Sequence, residues 1–140
     1  MKRIGLNDVK DISFRIAQKY REYGEPIPDF DTSNEGVLES CLRTPFAKFS
    51  KKSLYPTLIS KASILFYLII KNHPFQNGNK RIAITTTQLF LFKNKKWLDV
   101  EEGTLYNFTI WVAQSLAELK DPVVDCIEYF FTKHLVKRDY

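Results

Sequence analysis

The run from Thr57 to Asn72, "TLISKASILFYLIIKN", is apolar nearly all the way round, with polar relief only from Ser60, Lys61 and Ser63. A helix with a single apolar stripe lies on a surface, whereas one that is apolar on every side has to be surrounded. Its most apolar part, Ala62 to Ile70, falls well short of the roughly 20 residues that a membrane span needs. The surrounding partners must therefore be other parts of the same chain. This segment alone predicts an all-α, compact bundle built around a buried central helix.

The remaining chain supplies the partners. From Leu6 to Tyr23 the residues Val9, Ile12, Phe14, Ile16, Ala17 and Tyr20 recur at mostly helical intervals, with Asn7 or Asp8 as cap and Gly24 as stop. "GEPIPDFDTSNEG" (Gly24 to Gly36) is dense in turn formers and reads as a loop, followed by a short helix "VLESCLRT". A helix running from near Gly78 to Asn94 contains the β-branched run Thr85, Thr86 and Thr87, which packing in a buried helix can override. Two more helices come from "EEGTLYNFTIWVAQSLAEL" and "DPVVDCIEYFFTKHLV", the last with Asp121 as cap and Pro122 at the first helical position. About six helices result. At 140 residues, 44% of them hydrophobic, the chain is one domain spanning residues 1–140 and is not disordered.

Cysteine usage and termini bound the compartment. Cys41 and Cys126 each sit among apolar neighbours and read as buried, reduced thiols, with no CxxC pair and no disulfide framework. "MKRIGLNDVKD" turns polar too soon for a signal peptide. A soluble cytoplasmic protein with no membrane partner is expected. The formal charge of +5 suits a nucleotide, an acidic protein or a nucleic acid. Solvated helix faces account for most of it, so nucleic acid is not the expected partner. Between Pro45 and Pro56, "PFAKFSKKSLYP", no helical period holds. Phe46 and Phe49 alternate there with Lys48, Lys51 and Lys52, as in a small exposed flap able to grip a peptide or strand.

The central helix is followed at once by His73-Pro74-Phe75-Gln76-Asn77-Gly78-Asn79-Lys80-Arg81, a stretch without a carboxylate. Pro74 disfavours helical dihedrals at His73, so the helix stops there. A turn at Gly78 opens the next helix, whose first N–H groups lack internal acceptors and carry the positive end of the dipole. Glycine allows close approach to that backbone, Asn79 can donate an amide, and Lys80 and Arg81 bring full charges to the same turn. These residues predict a cradle for phosphate. His73 stands at its rim as a candidate proton acceptor, and Phe75 reads as an inward anchor. Only His73 and His134 are histidines, and no cluster of zinc-binding spacing accompanies them.

"HPFQNGNKR" resembles the Fic/Doc (Fido) signature, in which histidine, phenylalanine, an acidic residue, a small residue, asparagine, glycine or lysine, and arginine follow in fixed order. The segments "EGVLESCLRTP", "LYPTLISKASILFYLIIKN" and "LFLFKNKKW" are similar to corresponding parts of Doc-type, death-on-curing toxins. The resemblance implies a Fido-like helical fold and an ATP-dependent transferase that modifies a Ser or Thr hydroxyl of a cellular protein. His73 would be the base, Gly78, Asn79, Lys80 and Arg81 the nucleotide-binding turn, and Phe46, Lys48, Phe49, Lys51 and Lys52 the target-docking flap. Nucleotidylating relatives carry glycine before the arginine and a second arginine three residues after it. Lys80 and Ile84 occupy those positions here and match the Doc branch, which transfers the γ-phosphoryl group. The alternatives are AMP transfer to protein, or an inactive nucleotide-binding relative. Asn77 stands where an acidic residue would help hold Mg²⁺, and an amide oxygen is a weaker ligand for a hard cation. The inhibitory pattern Ser/Thr-x-x-x-Glu-Gly is approached only by "DTSNEG", with Asp31 at its first position. Restraint by a separate antitoxin is therefore implied.

Overall fold

The computed structural model describes residues 1–20 and 29–138. Among them the α-helices are α1 (Leu6–Tyr20), α2 (Glu35–Arg43), α3 (Leu58–Asn72), α4 (Asn79–Lys93), α5 (Glu102–Gln114) and α6 (Lys120–His134). Two small antiparallel ribbons join them, β1 (Lys48–Phe49) with β2 (Lys52–Ser53), and β3 (Lys96–Leu98) with β4 (Leu135–Lys137). No helix among the described residues is long and apolar enough to cross a membrane.

Helix α3 is the axis, packing against α2, α4, α5 and α6. It starts in a capping box, where the Thr57 hydroxyl accepts the Ser60 N–H and the Ser60 hydroxyl accepts the Thr57 N–H. All of Lys61 to Tyr67, together with Ile69 and Ile70, is buried. Full burial contributes about 2 kcal/mol for each large apolar side chain such as Ile64, Phe66, Ile69 and Ile70. Phe66 meets Phe131 of α6 edge to face at 5.2 Å. Antiparallel α4 lies alongside with Ala83, Thr86 and Thr87 buried, so packing does override the poor propensity of the threonine run.

Lys61 is 7% exposed, and its ammonium donates to the Pro45 carbonyl, the Tyr55 carbonyl and the Ser53 hydroxyl. Burial first, and then the charges of Arg3 and Lys48, hold its pKa below the usual lysine value. The bonds fasten the β1–β2 hairpin to the first turn of α3. The turn of that hairpin has φ of 50° at Ser50 and 67° at Lys51, the geometry of a type I′ turn.

Several expectations change. Helix α1 is capped from Gly5, whose N–H is accepted by Asp8, three residues on, and Phe14 is 64% exposed on its outer face. The predicted end of this helix at Gly24, and the loop up to Pro28, lie outside the described residues. Helix α6 starts at Lys120, continuing the 3-10 turn Ala117–Leu119, so neither Asp121 as cap nor Pro122 as first residue holds. Cys41 is buried, but Cys126 is exposed. The β3–β4 ribbon has no counterpart in the helical reading, because three residues are too few to show a period. It persists because the Gln88 side-chain amide of α4 bonds both the N–H and the carbonyl of Leu98, and so closes one edge of β3.

Candidate active site

The loop between α3 and α4 is held from within. His73 ends α3 in the left-handed conformation, φ 47° and ψ 62°, which a non-glycine residue adopts at a cost of about 1–2 kcal/mol. This conformation turns the chain away from the helix axis and leaves the imidazole exposed. Pro74 and Phe75 then dive inward. Phe75 is 3% exposed and meets Phe30 edge to face at 6.2 Å, as the anchor reading requires. The Pro74 carbonyl accepts the Asn34 N–H at 2.8 Å, and the Asn34 side chain caps α2 through the Val37 N–H.

Asn79 closes the loop. Its Oδ1 accepts the Phe75 N–H at 2.9 Å, and its Nδ2 donates to the Phe75 carbonyl at 2.8 Å. The side chain of Asn79 is therefore engaged and buried, which corrects the expectation that it donates to a phosphate. Its contribution to an anion site is its main-chain N–H and the shape of the loop. Gly78 caps α4 at φ 77° and ψ 15°, and no side chain caps this end. The first helical bond runs from the Ile82 N–H to the Gly78 carbonyl at 2.9 Å. The N–H groups of Asn79, Lys80 and Arg81 thus fall in the turn that has no acceptor within the helix, at the positive end of the dipole.

Cations and amides surround this turn. Lys80 is half-buried in it. The guanidinium carbon of Arg81 lies 4.9 Å from the ring centre of Tyr106 of α5, and both residues line a cleft of about 770 Å³ between α1, α4 and α5. A second cleft of about 470 Å³ separates the start of α3 from α6. Neither cleft has His73 or Gly78 in its wall; His73 itself is exposed. Gln76 and Asn77 are exposed, and Asn77 brings an amide oxygen without a neighbouring carboxylate in the loop. Among the described residues no three His, Cys, Asp or Glu side chains gather as a metal site. The loop itself thus offers Mg²⁺ no carboxylate, and a nucleotide-borne ion would depend on the phosphates themselves.

The flap residues are not brought to this loop. The hairpin is tied to Lys61, and from Lys61 to His73 the helix rises about 18 Å. Phe46 faces inward, edge to face with Phe90 at 6.1 Å under the Arg3 guanidinium, and only Phe49, 73% exposed, stands free. The hairpin exists as expected, but at the end of the bundle opposite His73. Residues missed in the sequence hold the loop instead. Asn34 follows an ordinary capping pattern and was findable as a cap, whereas nothing in the sequence marks Phe30 or Tyr106. On the same side, the Asn72 amide donates to the Cys41 sulfur at 3.9 Å. Burial outweighs this bond and pushes the Cys41 thiol up to about 11, so it is no nucleophile at neutral pH.

The model of the Fic/DOC family matches residues 3–91, more than half of the chain and all of the loop. No curated protein and no solved structure matches.

Proposed function

This chain belongs to the Fic/DOC family, and from that premise we propose that its transferase domain moves the γ-phosphoryl group of ATP to a Ser or Thr hydroxyl of a cellular protein. The observation that carries this reading is the start of α4 without a side-chain cap, opened by Gly78 and locked by Asn79 to Phe75, in the loop that begins at an exposed His73.

The chemistry asks little of the protein beyond positioning and charge. A neutral His73 takes the proton from the target hydroxyl as its oxygen forms a bond to the γ-phosphorus. The bond from that phosphorus to the β,γ-bridging oxygen breaks, and ADP leaves. The N–H groups of Asn79, Lys80 and Arg81, with the Lys80 ammonium, meet the charge on the phosphate oxygens. Each such donor contributes a factor of about 10² to 10³ when it engages the transition state more tightly than the ground state. Magnesium bound to ATP would neutralise phosphate charge, and Asn77 is the loop side chain nearest in kind to a ligand for it. The antitoxin that the Doc resemblance implies would act in trans.

Incubation of the protein with cell extract and either γ-labelled or α-labelled ATP tests this reading. Label from the γ position alone, lost in His73→Ala, is the expected result. Label from the α position would mean adenylyl transfer. No label from either, with transfer appearing in Asn77→Asp, would mean that the natural chain binds nucleotide without turnover.

A further inference from the structure

The charge of this chain is unevenly placed. Residues 1–5, 46–55 and 92–98 contain eight of the 21 lysines and arginines and none of the 16 carboxylates. The remaining residues carry 13 cations against those 16 carboxylates, so a chain of net +5 divides into +8 on three short segments and −3 elsewhere. The fold brings the three together at the end of α4 away from the catalytic loop. Lys2 exchanges hydrogen bonds with the Asn94 side chain, the Lys93 ammonium reaches the Arg3 carbonyl, and Arg3 lies 4.1 Å over Phe46 at the base of the hairpin.

Local structure does not require these charges. The dipole of α4 accounts for Lys93 in its last turn, which also pairs with Asp8 at 3.0 Å. It does not account for Lys48, Lys51 and Lys52 on the hairpin. Lys51 and Lys95 occupy left-handed positions, φ 67° and 64°, where glycine or asparagine would be less strained. An anionic ligand would offset both.

The hairpin indicates which anion. Phe49 and Lys52 are paired across it, so their side chains share one face, and Phe49 is 73% exposed. An aromatic face beside an ammonium matches a base beside its phosphate. A duplex keeps its base faces stacked, and an acidic polypeptide has none to offer. A bilayer wedge calls for a broader apolar surface than one phenylalanine and the neighbouring Leu54. We propose that the basic pole formed by the N-terminal arm, the β1–β2 hairpin and the α4–β3 turn binds single-stranded nucleic acid, with Phe49 stacking on a base and Lys51, Lys52 and Lys95 on the backbone. This reverses the expectation drawn from overall charge, because linear sequence does not show that three basic segments converge.

The test is fluorescence anisotropy of a short labelled oligouridylate titrated with the full chain over a salt series, without nucleotide, so that its outcome is independent of the transfer reaction. The logarithm of the affinity should fall linearly with the logarithm of salt concentration. In Lys51→Gln/Lys52→Gln/Lys95→Gln that slope should shrink by about 2. Phe49→Ala should weaken binding about tenfold with the slope unchanged. All four side chains are exposed, and a melting curve for each variant confirms folding. Absence of binding at low salt overturns the proposal. So does equal binding of polyglutamate, of duplex DNA or of phosphatidylserine vesicles, or indifference to Phe49→Ala.

Discussion

Replacing Asn79 with alanine removes two hydrogen bonds, of 2.9 and 2.8 Å, to the main chain of Phe75, a residue only 3% exposed. The Phe75 N–H and carbonyl lose the partner they have in the native loop, at about 1–3 kcal/mol for each group left unsatisfied. Alanine recovers a few tenths of a kcal/mol through its better helix propensity at the start of α4. The net expectation is a loss of about 3 kcal/mol. For a chain of this size that corresponds to a fall in melting temperature of about 10 °C. Circular dichroism melts and urea titrations of wild type and Asn79→Ala measure it, with an unchanged urea slope showing that the unfolded state is unaffected. Asn79→Asp sharpens the argument, because its carboxylate can accept the Phe75 N–H but opposes the Phe75 carbonyl. Protonation restores a donor, so that variant should regain stability relative to wild type as pH falls from about 6 to 4. A melting temperature for Asn79→Ala within about 2 °C of wild type would refute the claim that this side chain locks the loop.

Three further outcomes follow from the same structure. His73 is exposed and left-handed, so His73→Gly should be up to about 1 kcal/mol more stable than His73→Ala while both lose transfer, and a less stable glycine variant would count against backbone strain at the base. Iodoacetamide at about pH 8 should modify Cys126 readily and Cys41 only after unfolding, given the Cys41 thiol at about 11, as mass spectrometry would show. Burial alone would raise the Asp8 carboxyl, but the Gly5 N–H, the Lys93 hydrogen bond and the Lys93 charge together hold it below 3.8. A depressed carboxylate stabilises the fold above its unfolded value and loses that contribution as pH falls through the folded one. The deficit of Asp8→Asn, about 0.5 kcal/mol for a side chain one-third exposed, should be present at about pH 6 in denaturant titrations and should close as the pH falls beneath the ordinary carboxylate range.

The central helix was legible because an all-round apolar run has one physical solution, and α3 buries those side chains. The loop was legible for the same reason at smaller scale: proline stops a helix, glycine accepts φ 77°, and a phenylalanine between polar residues turns inward. What escaped depended on distant contacts. Nothing local assigns the Asn79 amide to Phe75 instead of to a ligand. The flap was legible as an exposed, non-helical element, but where it stands was not, because its position is set by the buried Lys61 ammonium and not by its own residues. Cys126 looked buried from its apolar neighbours, yet its side of α6 faces outward. The basic pole is the extreme case, since its segments lie about 40 residues apart in sequence.

The claim that the first amides of α4 hold nucleotide phosphates beside His73 is tested most directly by ¹⁵N–¹H spectra recorded while ATP and magnesium are added. The largest shifts should fall on the amides of Gly78, Asn79, Lys80 and Arg81, with the His73 ring following. If those four amides stay fixed while shifts gather at the cleft between α3 and α6, or nowhere, phosphate is not held at this turn.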